Sequence, residues 1–103
     1  MIHRIVQMKF KENELQNFLI LFERVKREVN DFEGCCGMKL LQSKEEKNVV
    51  FTYSVWKNEE ALQSYRNSVF FRETWPDIKK GFSIPAKAWS TEELFDGFTF
   101  KVS

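Results

Sequence analysis

Residues 55–82 read VWKNEEALQSYRNSVFFRETWPDIKKGF, and the fold turns on how this stretch is read. It holds two of the three tryptophans, one of the two tyrosines and three of the eleven phenylalanines, so it needs a partner to cover it. Its start reads as a strand end running into a helix. Asn58 stands at an N-cap position, and Glu59 and Glu60 follow in the first turn, where the helix dipole favours negative charge. Leu62 and Tyr65 share one helical face. Ser68 is placed to cap a second short helix, on which Phe71, Trp75, Ile78 and Phe82 recur as one aromatic-rich stripe. Pro76 is expected to interrupt that helix near Trp75, or to begin a further turn at its first position. So large an apolar face in a chain of 103 residues must cover a sheet, or a pocket above a sheet.

Upstream, Val49–Trp56 (VVFTYSVW) is rich in β-branched and aromatic residues and reads as a strand. The charged turn Lys44–Asn48 joins it to a preceding strand, Cys36–Ser43, as a hairpin with a solvated tip. Before the hairpin, Leu15, Phe18, Leu19, Phe22, Val25, Val29 and Phe32 form one stripe of a helix expected over Lys11–Phe32. Asn13 or Glu12 would open that helix and Gly34 would close it. Ile2–Phe10 is the first strand, with Ile2, Arg4, Val6, Met8 and Phe10 on one face and His3, Ile5, Gln7 and Lys9 on the other. Neither face is cleanly polar, so both are expected to be partly covered. Downstream, Gly81 and Pro85 bound a linker to a fourth strand, Ala86–Ser90. Ser90–Glu93 has the pattern of a capping box, with a short helical turn expected at Glu93–Phe95 and an end at Gly97. Phe98, Phe100 and Val102 alternate with polar residues, as an added edge strand would.

The order is β-α-β-β-α-β with a tail. It defines an α+β, ferredoxin-like domain over residues 1–95: a four-stranded antiparallel sheet with helices on one face, followed by a tail at 96–103. The face without helices keeps apolar residues from several strands. A homodimer joined sheet to sheet is therefore expected.

Composition removes several classes. The net charge is +1 with both signs interspersed, so nothing draws the chain to nucleic acid or to a membrane surface. No apolar run is long enough to span a bilayer. The first ten residues, broken by Arg4 and Lys9 and alternating, read as a strand and not as a signal peptide. RNA binding on a ferredoxin-like sheet would need a basic sheet with a Lys/Arg-Gly-Phe/Tyr strand motif, which is absent. Cys35 and Cys36 are neighbours, too close for an unstrained disulfide and too few for a structural metal site. They read as reduced thiols of a cytoplasmic protein.

Glu33-Gly34 at a helix end, then FTYSVWKNEEALQSYRNSVFFRETWPDIKKGF leading to IPAKAWS, resembles the antibiotic biosynthesis monooxygenase family of the dimeric α+β barrel superfamily. The resemblance covers Ile2 to about Phe95. It implies a dimeric barrel with a pocket between sheet and helices in each protomer. It also implies, for some members, oxygenation of phenolic or quinol-type compounds with no cofactor and no metal. A haem-degrading branch uses an Asn on the first strand, a Trp early in the region after the hairpin and a His later as iron ligand. Aligned on the shared Val-Trp-Lys, this chain has Tyr65 at the Trp position, Trp75 at the His position and Gln7 on the first strand. Haem degradation is disfavoured.

Oxygenation without a cofactor needs a group to take a phenolic proton, a dry aromatic pocket and a donor for the developing oxyanion. The candidates are His3 or Tyr65 for proton transfer, Arg66 or Gln7 as donor, and Trp56, Phe71 and Trp75 as walls. Trp56 and Trp89 also end strands, where packing at the interface or the barrel rim is expected. The competing expectation is a non-catalytic dimeric module that binds a small apolar ligand, or packs its pocket shut with Phe71, Phe82 and Trp75. An open pocket lined by Tyr65, Trp75 and His3 would favour the enzyme.

Overall fold

In a computed structural model, which describes residues 1–98, β1 (Ile2–Lys9) runs through the middle of a four-stranded sheet. Its partners are β3 (Val49–Trp56) and β4 (Lys87–Glu92), both antiparallel to it. β2 (Cys35–Gln42) pairs with the outer side of β3, so the order is β2-β3-β1-β4. This is the ferredoxin-like order. The hairpin, the expected turn at 44–48 and the third strand all form where the pattern places them.

The helix α1 (Leu15–Asn30) buries Phe18 and Val29 of its stripe, and half-buries Leu15, Leu19, Phe22 and Val25. It starts later than its sequence suggests, and neither Asn13 nor Glu12 caps it. The N–H of Lys11 donates to the Gly81 carbonyl (2.8 Å) and that of Glu14 to the Lys11 carbonyl (2.9 Å), so residues 11–14 are held as a turn. The helix ends at Asp31, short of Gly34. Gly34 instead turns the chain into β2 with φ +87°, and a Cβ there would lie 2.5 Å from that of Ala61. Only glycine tolerates both the angle and the approach.

Two caps are as expected. The Asn58 side chain accepts from the Ala61 N–H (2.9 Å) to start α2 (Glu59–Arg66), and Ser68 accepts from the Phe71 N–H (3.1 Å) to start α3 (Val69–Lys79). Pro76 does not interrupt α3, which runs on to Lys79. Its ring removes the bond to the Arg72 carbonyl, but both residues are exposed and water can take that carbonyl. Trp75 and Ile78, on either side, pack against the core and hold the helix straight through. Tertiary packing outweighs the roughly 3 kcal/mol cost of an interior proline.

The capping box at Ser90–Glu93 does not form either. Ser90 to Glu92 continue β4, because β1 needs hydrogen-bond partners along its whole free side. Their side chains work across the strands: Arg4 Nη1 donates to Ser90 Oγ (2.9 Å) and Thr91 Oγ1 to the His3 carbonyl (2.8 Å). No helical turn follows at Glu93–Phe95. Phe98 is not in a strand, and the remainder of the expected edge strand, 99–102, lies outside the described residues.

The core joins both layers. Met8, Phe10, Phe18 and Val50 are its centre, with Phe10 stacked on Phe18 at 4.7 Å between ring centroids. Each such side chain contributes about 1.5–3 kcal/mol by leaving water. Phe82 bridges back to Phe10 and meets its ring edge-on, which ties the linker after α3 to the end of β1. Trp56, expected at an interface or rim, is 1 % exposed and belongs to the interior. Its strand position faces the helices, and its indole N–H donates to Ser54 Oγ (2.9 Å).

Candidate functional site

Between the helices and the sheet lies a cavity of about 350 Å³. Its floor is the even-numbered face of the central strands: Arg4, Val6 and Met8 from β1, and Thr52, Ser54 and Trp56 from β3. Cross-strand pairing of Arg4 with Ser54 and of Val6 with Thr52 sets these side chains next to one another. Phe18, Phe22, Val25 and Val29 of α1 form one wall. Leu62, Tyr65 and Arg66 of α2, with Phe71, Thr74, Trp75 and Ile78 of α3, form the roof.

The roof is a chain of touching rings. Tyr65 lies 4.9 Å from Trp56 and meets Phe71 edge-on at 5.1 Å. Phe71 stacks on Trp75 at 5.6 Å with planes 12° apart, and Trp75 meets Phe82 edge-on at 5.7 Å. Such contacts fix the rings at low cost, so the walls are set before any ligand arrives. Phe71 and Trp75 are therefore walls of an open space, while Phe82 fills the core at its end.

The polar groups in this lining are few. Burial, with a smaller contribution from Cys35, pushes the Tyr65 phenol up to about 12. Near neutral pH it stays protonated, a neutral phenol with a hydrogen to donate. Among the described residues its hydroxyl has no hydrogen-bond partner, yet it is not sealed from solvent. Arg4 is held below the usual guanidinium value by burial and by the charge of Arg66, against a smaller opposing effect of Glu59. Neither arginine forms an ion pair among the described residues. Glu59 instead accepts from Gln63 (2.9 Å).

The structure thus brings Tyr65, Arg66, Trp56, Phe71 and Trp75 to one cavity, and places His3 and Gln7 elsewhere. Both of the latter are odd-numbered residues of β1, so their side chains lie on the opposite face of the sheet. There His3 Nδ1 bonds the Tyr53 hydroxyl, and its Nε2 lies 3.7 Å from Glu93. The pocket that would have favoured the enzyme, lined by Tyr65, Trp75 and His3, is found without His3, because a strand sends neighbouring side chains to opposite faces. Among the lining residues that were not singled out from the sequence, Arg4 is the charged one; Thr52, Ser54 and Thr74 are polar. The signal for Arg4 was its parity with Val6 and Met8, the apolar positions that turn inward. Among the described residues no three His, Cys, Asp or Glu side chains converge as metal ligands would. Cys35 and Cys36 are free thiols, half-buried and exposed respectively.

A four-stranded sheet in this order, roofed on one face by helices over an aromatic cavity, defines a ferredoxin-like domain with room for a small molecule. The family model described as antibiotic biosynthesis monooxygenase matches residues 1–76, and the chain belongs to that family. A search of curated proteins found no significant match. Among solved structures, a conserved protein from Methanosarcina mazei superposes with a TM-score of 0.85 at 21 % identity, covering 89 % of this chain and 91 % of its own. A structure described as an antibiotic biosynthesis monooxygenase gives 0.85 at 15 % identity, covering 91 % and 99 % respectively. A protein of Mycobacterium tuberculosis gives 0.85 at 12 % identity, covering 94 % and 98 %. At such identities the likeness is one of fold. No helix among the described residues is long and apolar enough to cross a membrane.

Proposed function

We propose that the chain is a cofactor-independent monooxygenase acting on a small aromatic compound of phenolic or quinol type. Family membership supports a monooxygenase-like activity in general terms. The observation that carries the finer reading is the open, ring-walled cavity with the unpaired Tyr65 hydroxyl at its roof. A flat substrate stacks along Phe71 and Trp75 between apolar walls, where its anion is less hydrated than in bulk water and a stronger electron donor. The electron-rich carbon gives electrons to dioxygen and forms a peroxide. Loss of water then leaves one oxygen atom as a carbonyl and the other in the water. Tyr65, a neutral phenol, donates to the oxyanion. Trp75 has no basic ring nitrogen with which to bind iron, so haem degradation stays outside the proposal.

The experiment is oxygen uptake on a panel of quinols and anthrones, with the wild type beside Tyr65→Phe. Uptake by the wild type, lowered about tenfold or more in the variant, is expected. No uptake with any compound would leave the second reading, a non-catalytic binding module. That reading draws on a lining that has, among the described residues, no carboxylate and no imidazole.

The same reading makes the protein a cytoplasmic homodimer. The open face of the sheet supports this, since it carries Ile5, Leu41, Phe51, Tyr53, Val55 and Trp89 with no helix over them. Leu41 and Trp89 are 49 % and 46 % exposed, a large apolar loss if left to water. The free cysteines support a reducing compartment.

A further inference from the structure

We infer that Arg4 and Arg66 form an anion subsite under α2, which holds an aromatic ligand by a ring oxygen in its deprotonated, phenolate form. The inference rests on the proposed use of the cavity for an aromatic ring, and adds the charge that the ring must carry.

Two arginines, Arg4 of β1 and Arg66 in the last turn of α2, line a single cavity whose remaining surface is mostly apolar. Their charges are near enough to oppose each other, and no carboxylate among the described residues pairs with either. Glu59 is the acidic group whose charge reaches Arg4, and it is bound to Gln63. Like charges facing a low-dielectric space repel, and an anion set between them relieves both. Donors are available for it. Arg4 spends one N–H on Ser90 and keeps the rest of its five, Arg66 has its own fork, and the Tyr65 hydroxyl adds a neutral donor.

Among the described residues, the lining also contains no carboxylate, imidazole or amine to take a proton. Its titratable members are Arg4, Arg66 and Tyr65, the last of these protonated at neutral pH. A phenolic ligand therefore cannot hand its proton to the protein within the cavity. It must lose that proton to water, and the two arginines lower the cost by stabilising the oxyanion. The site acts on the acidity of the ligand, where a residue acting as base would act on its proton directly.

The test uses the full chain and two probes that share a ring. 4-Nitrophenol shows its phenolate by absorbance, and 4-nitroanisole carries the same oxygen methylated. With protein in excess, bound nitrophenol is expected to ionise about one pH unit below the free compound, equivalent to phenolate binding about tenfold tighter than phenol. Nitroanisole, followed by quenching of tryptophan fluorescence, is expected to bind as the neutral form does. Arg66→Gln and Arg4→Gln should each reduce the shift, and the double variant should abolish it while nitroanisole affinity stays within about twofold. Ionisation of bound nitrophenol at the pH of the free compound, with nitroanisole bound, would overturn the inference and leave the cavity reading standing. Binding of neither probe would overturn both. Arg66 is exposed, so Arg66→Gln should fold; loss of nitroanisole binding in that variant would also sink the inference, by showing that the arginine shapes the cavity and does not select charge.

Discussion

The two faces of the sheet are built from the same strands and are both rich in apolar side chains, yet they have opposite roles. Under the helices, Val6, Met8 and Trp56 share a floor with Arg4, Thr52 and Ser54, and the roof of Tyr65, Phe71 and Trp75 stands off far enough to leave a cavity. On the other face, Leu41 and Trp89 are exposed beside half-buried Ile5 and Phe51, and the polar side chains have found one another: His3 meets Tyr53 and Glu93. The difference lies in where unused hydrogen-bonding capacity is kept. Among the described residues, the covered face holds arginines without carboxylates and a tyrosine hydroxyl without a hydrogen-bond partner, a condition that suits a ligand. The open face has its imidazole satisfied and its apolar groups exposed, a condition that suits a second protein surface.

Substitutions should separate these roles. Trp56→Ala removes a side chain packed against Phe32 and Tyr65, and should cost about 3–5 kcal/mol of folding stability in urea denaturation. Phe51→Asp, on the open face, should instead weaken association by more than about 2 kcal/mol. Sedimentation would then show a mass of one chain at micromolar concentration, with the circular dichroism unchanged. A wild type that already sediments as one chain would break the comparison.

Smaller effects sharpen it. Tyr65 titrates near 12 when folded and about 10 when unfolded. Between these values the unfolded chain has lost the proton and the folded chain has kept it, so stability falls as pH rises through the window. From pH 9 to 11 the wild type should lose about 1 kcal/mol relative to Tyr65→Phe, read from urea melts at the two pH values. A parallel pH dependence in both proteins would mean that the hydroxyl is not held in a dry cavity. The smallest effect belongs to His3→Ala, which should leave nitroanisole binding within about twofold, because the imidazole lies across the sheet from the cavity. A larger loss would mean that the two faces communicate.

Local chemistry made part of this legible. The caps at Asn58 and Ser68 depend on residues three apart, and the stripe of α1 depends on a period, so both can be read along the chain. Pro76 and Ser90–Glu93 misled for the same reason. Each carries a strong local signal, a helix breaker and a capping pattern, that long-range contacts override: core packing around Trp75 and Ile78, and the free side of β1. The lining was legible on α2 and α3, where Leu62 and Tyr65 share a face of one helix and Phe71, Trp75 and Ile78 recur at helical spacing on the next.

On β1 alternation had already divided Arg4 from His3 and Gln7. The choice between those two sets required knowing which face the helices cover, and with both faces apolar the pattern was symmetrical. The element order, the caps at Asn58 and Ser68 and the aromatic stripe could be read along the chain, because these follow from neighbours within one or two turns. That the even-numbered residues of β1 face the roof came from the packing of the helices over one side of the sheet. Burial is a property of two elements meeting, and a strand cannot state alone which of its faces another element will cover.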